Sequence, residues 1–359
     1  MENPVVLLIH GMGTHSDESI KREFNSGLKQ CLSFYDVNDF DVNEHFKLET
    51  FNYSEYWDDK RKKFAEHLDN EIKDSLSLTP SLIQKIHEGI GEFDGDEFLY
   101  THVLDVLFYL TGALREQQLV ELADKLATVI KYHVNDTSSG NLVVVAHSLG
   151  TAFIHDALTQ IYPKNLPPTT MGLDQLWSVA TVSRLTQFVT NKSDPKYSNV
   201  IDSSADEPGV CKKFYPVFND FDPFCWFKRY QRLPNQGELL KTGYVRDLHK
   251  IYGDKEGIRI NPHDLREYFA DPEVGTRFLT LNGVLKGKTF EDFTNAKNRY
   301  IATTIQGSIG GNLNSIRKEL EAISKDINGV AGVKKKVNAL MRVYELIDEM
   351  RDEFKGAYE

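Results

Sequence analysis

Two short apolar segments constrain the fold more than any other feature of the chain. They are residues 5–9 and 142–146, both rich in β-branched side chains and both followed by a glycine-containing turn. Continuous rather than alternating apolar residues are typical of strands that helices cover on both faces. Further strand candidates are 46–53, 176–182 and 213–219, and helical candidates are 19–33, 118–134 and 152–161. This alternation predicts an α/β fold with a mainly parallel central sheet flanked by helices.

The composition narrows the class of protein. The 359 residues include 40% hydrophobic and 26% charged side chains, which is typical of a globular chain. There are 42 Lys and Arg against 53 Asp and Glu, a formal net charge of −11. Nucleic-acid binders and binders of anionic membranes need a basic surface, so we expect no nucleic-acid partner.

The location of the protein is predicted from three further features. The three cysteines are too few and too scattered for a disulfide framework or a zinc site, which favours a reducing compartment. The chain shows no targeting leader. It also has no apolar segment near the roughly 18 residues that a spanning helix needs. We therefore expect a cytoplasmic protein without a transmembrane segment.

Two parts of the chain fit the strand–helix alternation poorly. Residues 54–117 combine charged helical stretches with an apolar segment at 98–110, and predict a helical insertion. The insertion either packs on the sheet edge or forms a lid over a substrate. Beyond residue 310, apolar residues recur at spacings of three and four, which predicts two amphipathic helices or one kinked helix. The predicted organisation is a domain at 1–310 and a helical extension at 311–359, which either packs on that domain or forms a homo-oligomer or partner interface.

The strongest chemical signal is Ala146-His147-Ser148-Leu149-Gly150, between a predicted strand and a predicted helix. A serine on a sharp strand-to-helix turn needs small residues two positions away on either side, and Ala146 and Gly150 supply them. Such a turn exposes the Ser148 hydroxyl and directs the Leu149 N–H toward a developing oxyanion. The alternative is a tight turn without chemistry, but the context favours Ser148 as a nucleophile.

This pentapeptide resembles the nucleophile elbow of the α/β-hydrolase superfamily of lipases and esterases, with Ala where most members carry Gly. The resemblance covers about residues 4–269, without the insertion. It implies a triad in the chain order Ser, Asp, His. Asp222, before Pro223 at the end of a predicted strand, is the first candidate for the acid, and Asp220 is the alternative. Both aspartates could instead form a turn or cap a helix.

Two histidines follow Asp222 in the chain, His249 and His263. His263 lies in a predicted loop just before a helix, with Tyr268 a few residues on, as the resemblance implies for the triad base. His249 lies in a segment that looks like the body of a helix or strand. We therefore predict His263 as the base, and we expect a structural role for His147 beside the nucleophile.

The first strand ends in His10-Gly11-Met12-Gly13, which resembles the His-Gly oxyanion loop of the same superfamily. The resemblance implies the Met12 N–H as the second oxyanion donor, with Gly13 as the alternative. A metal site at His10 and His15 is the weaker interpretation, because their spacing matches no common ligand motif. The loop also lacks the lysine of a phosphate-binding loop. We predict neither a metal nor a cofactor.

The resemblance therefore implies a serine hydrolase that cleaves a carboxylic ester, from a small molecule or a lipid, through an acyl-enzyme. One alternative is a catalytically silent α/β-hydrolase module that binds a partner through its C-terminal helices. A second alternative is an acyltransferase with the same triad, because the order of the triad does not fix the acceptor.

Overall fold

The structure is a computed structural model. The residues described are 3–11, 13, 15–54, 56–59, 105, 109, 115–131, 142–161, 173–183, 211–226, 240–242, 261–304, 318, 319, 322 and 342. The chain divides into two compact units. The first comprises Met1–Gly11, Asp17–Phe51 and Gln118–Ser308, and the second comprises Met12–Ser16, Asn52–Gln117 and Ile309–Glu359. The second unit thus combines most of the predicted insertion with the predicted C-terminal extension.

Six parallel strands form one sheet in the first unit. They are β1 (Val5–Ile9), β2 (Lys47–Phe51), β3 (Leu142–His147), β4 (Leu173–Val179), β5 (Cys211–Asn219) and β6 (Leu240–Thr242). Their order across the sheet is β2-β1-β3-β4-β5-β6, and every neighbouring pair is parallel. Helices lie on both sides of the sheet. The predicted α/β architecture with a mainly parallel sheet is confirmed at this level, and β6 is a strand that the sequence analysis did not predict.

Eight helices have described bounds. They are α1 (Asp17–Ser33), α2 (Val42–His45), α3 (Arg115–Val129), α4 (Leu149–Ile161), α5 (Pro223–Trp226), α6 (Leu265–Ala270), α7 (Pro272–Leu281) and α8 (Phe290–Ala302). The three helical candidates correspond to α1, α3 and α4, each of which begins two or three residues earlier than predicted. None of the described helices is long and apolar enough to cross a membrane.

An aromatic cluster joins the sheet to α1, α6 and α7. The rings of Phe24, Phe269 and Phe278 meet edge to face, with centroids 4.8 to 5.4 Å apart, and Trp177 of β4 lies against Phe278. A Cβ atom at Gly27 would lie 2.7 Å from the Arg266 carbonyl oxygen, so α1 and α6 approach closely. Buried aromatic contacts of this kind hold α6 against the core, which fixes the segment just before it.

Several predictions concern residues that the structure leaves undescribed. The residues of the extension 311–359 that are described, 318, 319, 322 and 342, are helical. Within the insertion, residues 54, 56–59, 105, 109 and 115–117 are helical. Most of the apolar segment at 98–110 and the whole segment around His249 lie outside the described residues.

Candidate active site

Ser148 lies on a strained turn between β3 and α4. Its φ of +52° is in the left-handed region that residues with a side chain rarely adopt. The Ser148 N–H donates to the Val179 carbonyl of β4 at 2.9 Å. Its own carbonyl accepts from the Thr151 N–H at 2.9 Å and from the Thr151 hydroxyl at 2.6 Å. These bonds hold the turn from the neighbouring strand and from the first turn of α4.

Two glycines allow the end of β1 to pass over this turn. A Cβ atom at Gly150 would lie 2.4 Å from the His10 carbonyl oxygen and 2.8 Å from the Ile9 carbonyl oxygen. A Cβ atom at Gly11 would lie 2.6 Å from the Ser148 Cβ. All three distances are below 3.0 Å, so none of them could be kept without a shift of the neighbouring atoms. Gly150, the small residue predicted two positions after Ser148, is therefore required because the backbone of β1 and His10 passes against it. Gly11 is required because the side chain of Ser148 lies against it.

We expect Gly150→Ala to lower the free energy of unfolding by about 3 kcal/mol or more, because the new methyl group meets backbone rather than a flexible side chain. The matched control is Gly287→Ala, where a Cβ would meet nothing within 4 Å and only the φ of +70° opposes it. That control should cost only about 1–2 kcal/mol. Thermal unfolding of the two variants measures the difference, and an equal loss of stability would contradict the proposed clash.

Three side chains from separate parts of the chain meet at this turn. The Nε2 atom of His263 lies 2.8 Å from the Ser148 Oγ, and its Nδ1 atom lies 2.8 Å from Oδ2 of Asp222. Asp222 follows β5, and His263 comes just before α6. Because an ionised carboxylate only accepts, Nδ1–H donates to Asp222, and Nε2 is left to accept from the serine hydroxyl. The three residues are 0–3% exposed.

The two oxygens of Asp222 have separate partners. Oδ1 accepts from the Phe224 N–H at 3.0 Å, at the start of α5. Oδ2 accepts from His263, from the Tyr268 hydroxyl at 2.6 Å and from the Cys225 thiol at 3.4 Å. The helix-capping alternative and the contact with His263 are thus both satisfied, each by a different oxygen.

The competing candidates lie elsewhere or outside the described residues. Asp220 forms an ion pair with Lys241 at 2.6 Å, and it is Asp222 that lies against His263 Nδ1. His249 is outside the described residues, as is Met12, the predicted oxyanion donor. The other predicted donor, Leu149, is the first residue of α4 and is buried. Its position at a helix N-terminus next to Ser148 is the one that an oxyanion donor needs.

The loop after Met12 belongs to the second unit and is held by residues of that unit. The Gly13 N–H donates to the buried carboxylate of Asp105 at 2.8 Å, and the Gly13 carbonyl accepts from the Ser54 hydroxyl at 2.9 Å. The His15 N–H donates to the same hydroxyl at 3.1 Å. Because the Gly13 N–H already donates to a charged acceptor, Gly13 is a poor oxyanion donor in this conformation.

Three contacts around His263 and Asp222 were not predicted from the sequence. The Nε2–H of His147 donates to the His263 carbonyl at 2.7 Å, which gives His147 a structural contact. The ring of Phe224 packs on the imidazole, with centroids 4.4 Å apart. Tyr268 reaches Asp222 from α6. The sequence signal for Tyr268 was only its place five residues after His263, and no pattern indicated the direction of its hydroxyl.

No metal site is formed by the part of the chain that the structure describes, where no group of three or more His, Cys, Asp or Glu side chains is placed to hold an ion. His10 lies at the end of β1, and His15 lies in the loop held by Asn52 and Ser54. Cys31, Cys211 and Cys225 are all buried, and none of them forms a disulfide.

The sequence matches no protein-family model and no curated protein. The function of the chain is therefore inferred from the geometry of its own residues, above all from the two 2.8 Å contacts of His263.

Proposed function

We propose that the chain is a serine hydrolase of the α/β-hydrolase superfamily that cleaves a carboxylic ester through an acyl-enzyme. The observation that carries the proposal is the chain of contacts from Ser148 through His263 to Asp222, with both distances at 2.8 Å. A nucleophile, a base that touches it and an acid that orients the base are the parts that such chemistry needs. The turn between β3 and α4 and the parallel sheet support the same assignment.

In the proposed reaction, the Ser148 Oγ adds to the ester carbonyl carbon while His263 Nε2 takes the hydroxyl proton. The oxyanion accepts hydrogen bonds from the N–H groups of Leu149 and Met12. The carbon–oxygen bond to the alcohol breaks, and the alcohol leaves with the proton that His263 carried. Water then attacks the acyl-enzyme with His263 as the base, which releases the carboxylic acid and restores Ser148. The reaction consumes one water and needs no metal or cofactor.

The substrate is proposed by class only. Burial of the three side chains lowers the effective dielectric constant around them, and this strengthens the interaction of His263 with Asp222. The predicted apolar segment at 98–110 would suit a lipid acyl chain or a small-molecule ester equally. The cytoplasmic location stays a prediction from the sequence.

The acyltransferase and the silent module are the competing functions. An acyltransferase would form the same acyl-enzyme and pass it to an alcohol instead of water. A silent module would not need Ser148, His263 and Asp222 to meet at hydrogen-bond distances, so these contacts favour an active enzyme. Partner binding through the C-terminal helices rests on sequence alone, and its test is whether a complex or dimer disappears when residues 312–359 are deleted.

A fluorophosphonate probe tests the proposal without presuming a substrate. We expect the full chain to be labelled and Ser148→Ala to remain unlabelled, because the probe bonds to an activated serine oxygen. Ser178→Ala, which removes another buried serine hydroxyl, is the matched control and should be labelled like the wild type. Because Ser148 is itself buried, the reaction is run with and without detergent micelles. A folded wild type that is unlabelled in both conditions would contradict the hydrolase proposal. Once labelling is established, single-turnover acylation with and without an alcohol acceptor separates hydrolysis from acyl transfer.

A further inference from the structure

The hydroxyl of Tyr268 shares an Asp222 oxygen with His263. Tyr268 Oη lies 2.6 Å from Oδ2, and His263 Nδ1 lies 2.8 Å from the same atom. Tyr268 is 1% exposed and Asp222 is 0% exposed, so water does not replace either contact. Two donors therefore compete for the negative charge of a single buried oxygen.

The neighbours of Tyr268 determine where its one hydroxyl hydrogen points. The backbone N–H of Asn219 donates to Tyr268 Oη at 3.1 Å, which uses a lone pair of the oxygen. The Asp222 carboxylate can only accept, so the hydroxyl hydrogen is directed to Oδ2. Burial, together with the negative charge of Asp222, raises the pKa of Tyr268 well above its usual value, so the hydroxyl stays protonated. Tyr268 is thus a permanent donor to Asp222.

We propose that Tyr268 is a positioning residue that fixes the direction of the Asp222 carboxylate and limits the negative charge it presents to His263. This inference rests on the proposed function. A hydrogen bond from Tyr268 stabilises the carboxylate and makes it a weaker acceptor for the imidazole proton. Without that bond, Asp222 would bind the His263 proton more strongly, and the imidazolium form of His263 would be favoured.

Other groups around the cluster do not replace this donor. Among the described titratable and charged groups, Cys225 of α5 contacts Asp222, and His147 at the end of β3 contacts His263. Asp264, just before α6, interacts with His263 through its charge. The charged groups around Asp264 are Arg266 and Glu267 of α6 and Glu23 of α1. The Cys225 thiol lies 3.4 Å from Oδ2 and is a weak donor. His147 contacts the backbone of His263 rather than Asp222. The hydroxyl of Tyr268 is therefore the strong neutral donor that balances His263.

Tyr268→Phe removes the hydroxyl and keeps the ring. We expect kcat/KM for a chromogenic ester to fall about fivefold to tenfold. The acid limb of the pH–rate profile should move upward by roughly 0.5 to 1 pH unit, because His263 becomes harder to deprotonate. The matched control is Tyr300→Phe, since Tyr300 is also buried and its hydroxyl lies close enough to a buried carboxylate, Asp271, to lower the pKa of that group, and Asp271 takes no part in the triad. The control should lose stability but keep the wild-type profile.

A second readout does not depend on turnover. In the Ser148→Ala background, the imidazole resonances of His263 are titrated by NMR with and without Tyr268→Phe. We expect the titration midpoint of His263 to rise when the hydroxyl is removed. An unchanged midpoint and an unchanged pH–rate profile, alongside a loss of stability like that of Tyr300→Phe, would show that Tyr268 is only structural. Absence of labelling and of ester hydrolysis in the wild type would instead overturn the proposed function, while the titration would still test the inference about Tyr268.

Discussion

Ser148→Ala, His263→Ala and the double variant are expected to lose kcat to the same extent, roughly a millionfold for each. Ser148 Oγ and His263 Nε2 lie 2.8 Å apart. In the proposed reaction one proton passes between them, so neither group acts without the other. Once one of the two side chains is removed, removal of the other should cause no further loss of kcat. The kcat values of the three variants are measured with a p-nitrophenyl ester at saturating concentration. A blank prepared from the same host without the protein must show no esterase activity.

The control for these variants is His45→Ala, which removes an imidazole at the end of α2 that stacks on Phe40. It should retain nearly all of kcat. If the losses of Ser148→Ala and His263→Ala instead multiplied in the double variant, the two residues would be acting independently. The contact between them would then be a structural hydrogen bond rather than a proton-transfer pair.

The sheet could be predicted where the sequence carries continuous runs of apolar residues. Strands β1 and β3 are neighbours inside the sheet, each with a strand on both sides, and they are buried along almost their whole length. This burial explains their continuous apolar segments. Strand β6 has three residues, Leu240, Lys241 and Thr242, at the sheet edge. Three residues contain too little pattern to distinguish a strand from a loop, and only pairing with β5 defines it.

Helices α7 and α8 show that local signals can be present and still be passed over. Asp271 before Pro272 caps α7, and Thr289 with Asp292 forms a capping box at the start of α8. Both signals stand in the sequence. Neither helix was predicted, because the helix predictions rest on apolar periodicity rather than on capping residues.

The candidate site could be predicted as far as residue type and chain order allow. Ser148 stands out because a strained turn demands small neighbours, which is a local property. The choice between Asp220 and Asp222 is different in kind. Both follow β5 within two residues, and only the path of the chain 41 residues later decides which of them meets His263. The contact of Tyr268 with Asp222 depends in the same way on how α6 packs beside β5, which no local pattern encodes.

Asp222→Ala is expected to lower kcat by about 10⁴-fold, whereas Asp220→Ala should change it by no more than a few-fold. In the proposed mechanism Asp222 holds the Nδ1–H tautomer of His263 and stabilises the imidazolium, and loss of that acid in a triad typically costs about this factor. Asp220 pairs with Lys241, which is 55% exposed, and an exposed ion pair contributes at most about 1 kcal/mol. Steady-state kinetics on the same ester measures the ranking.

Asp222→Ala also removes the cap of α5 and the acceptor of Tyr268, so a loss of folding must be separated from a loss of chemistry. Asp222→Asn provides that separation. The amide keeps the volume, and its oxygen can still accept from the Phe224 N–H or from Tyr268. Its NH₂ group cannot accept the His263 Nδ1–H, so the imidazole would turn to the wrong tautomer. A folded Asp222→Asn variant with kcat near that of Asp222→Ala would assign the loss to the carboxylate itself. The reverse ranking, with Asp220→Ala the more damaged variant, would rule out Asp222 as the acid.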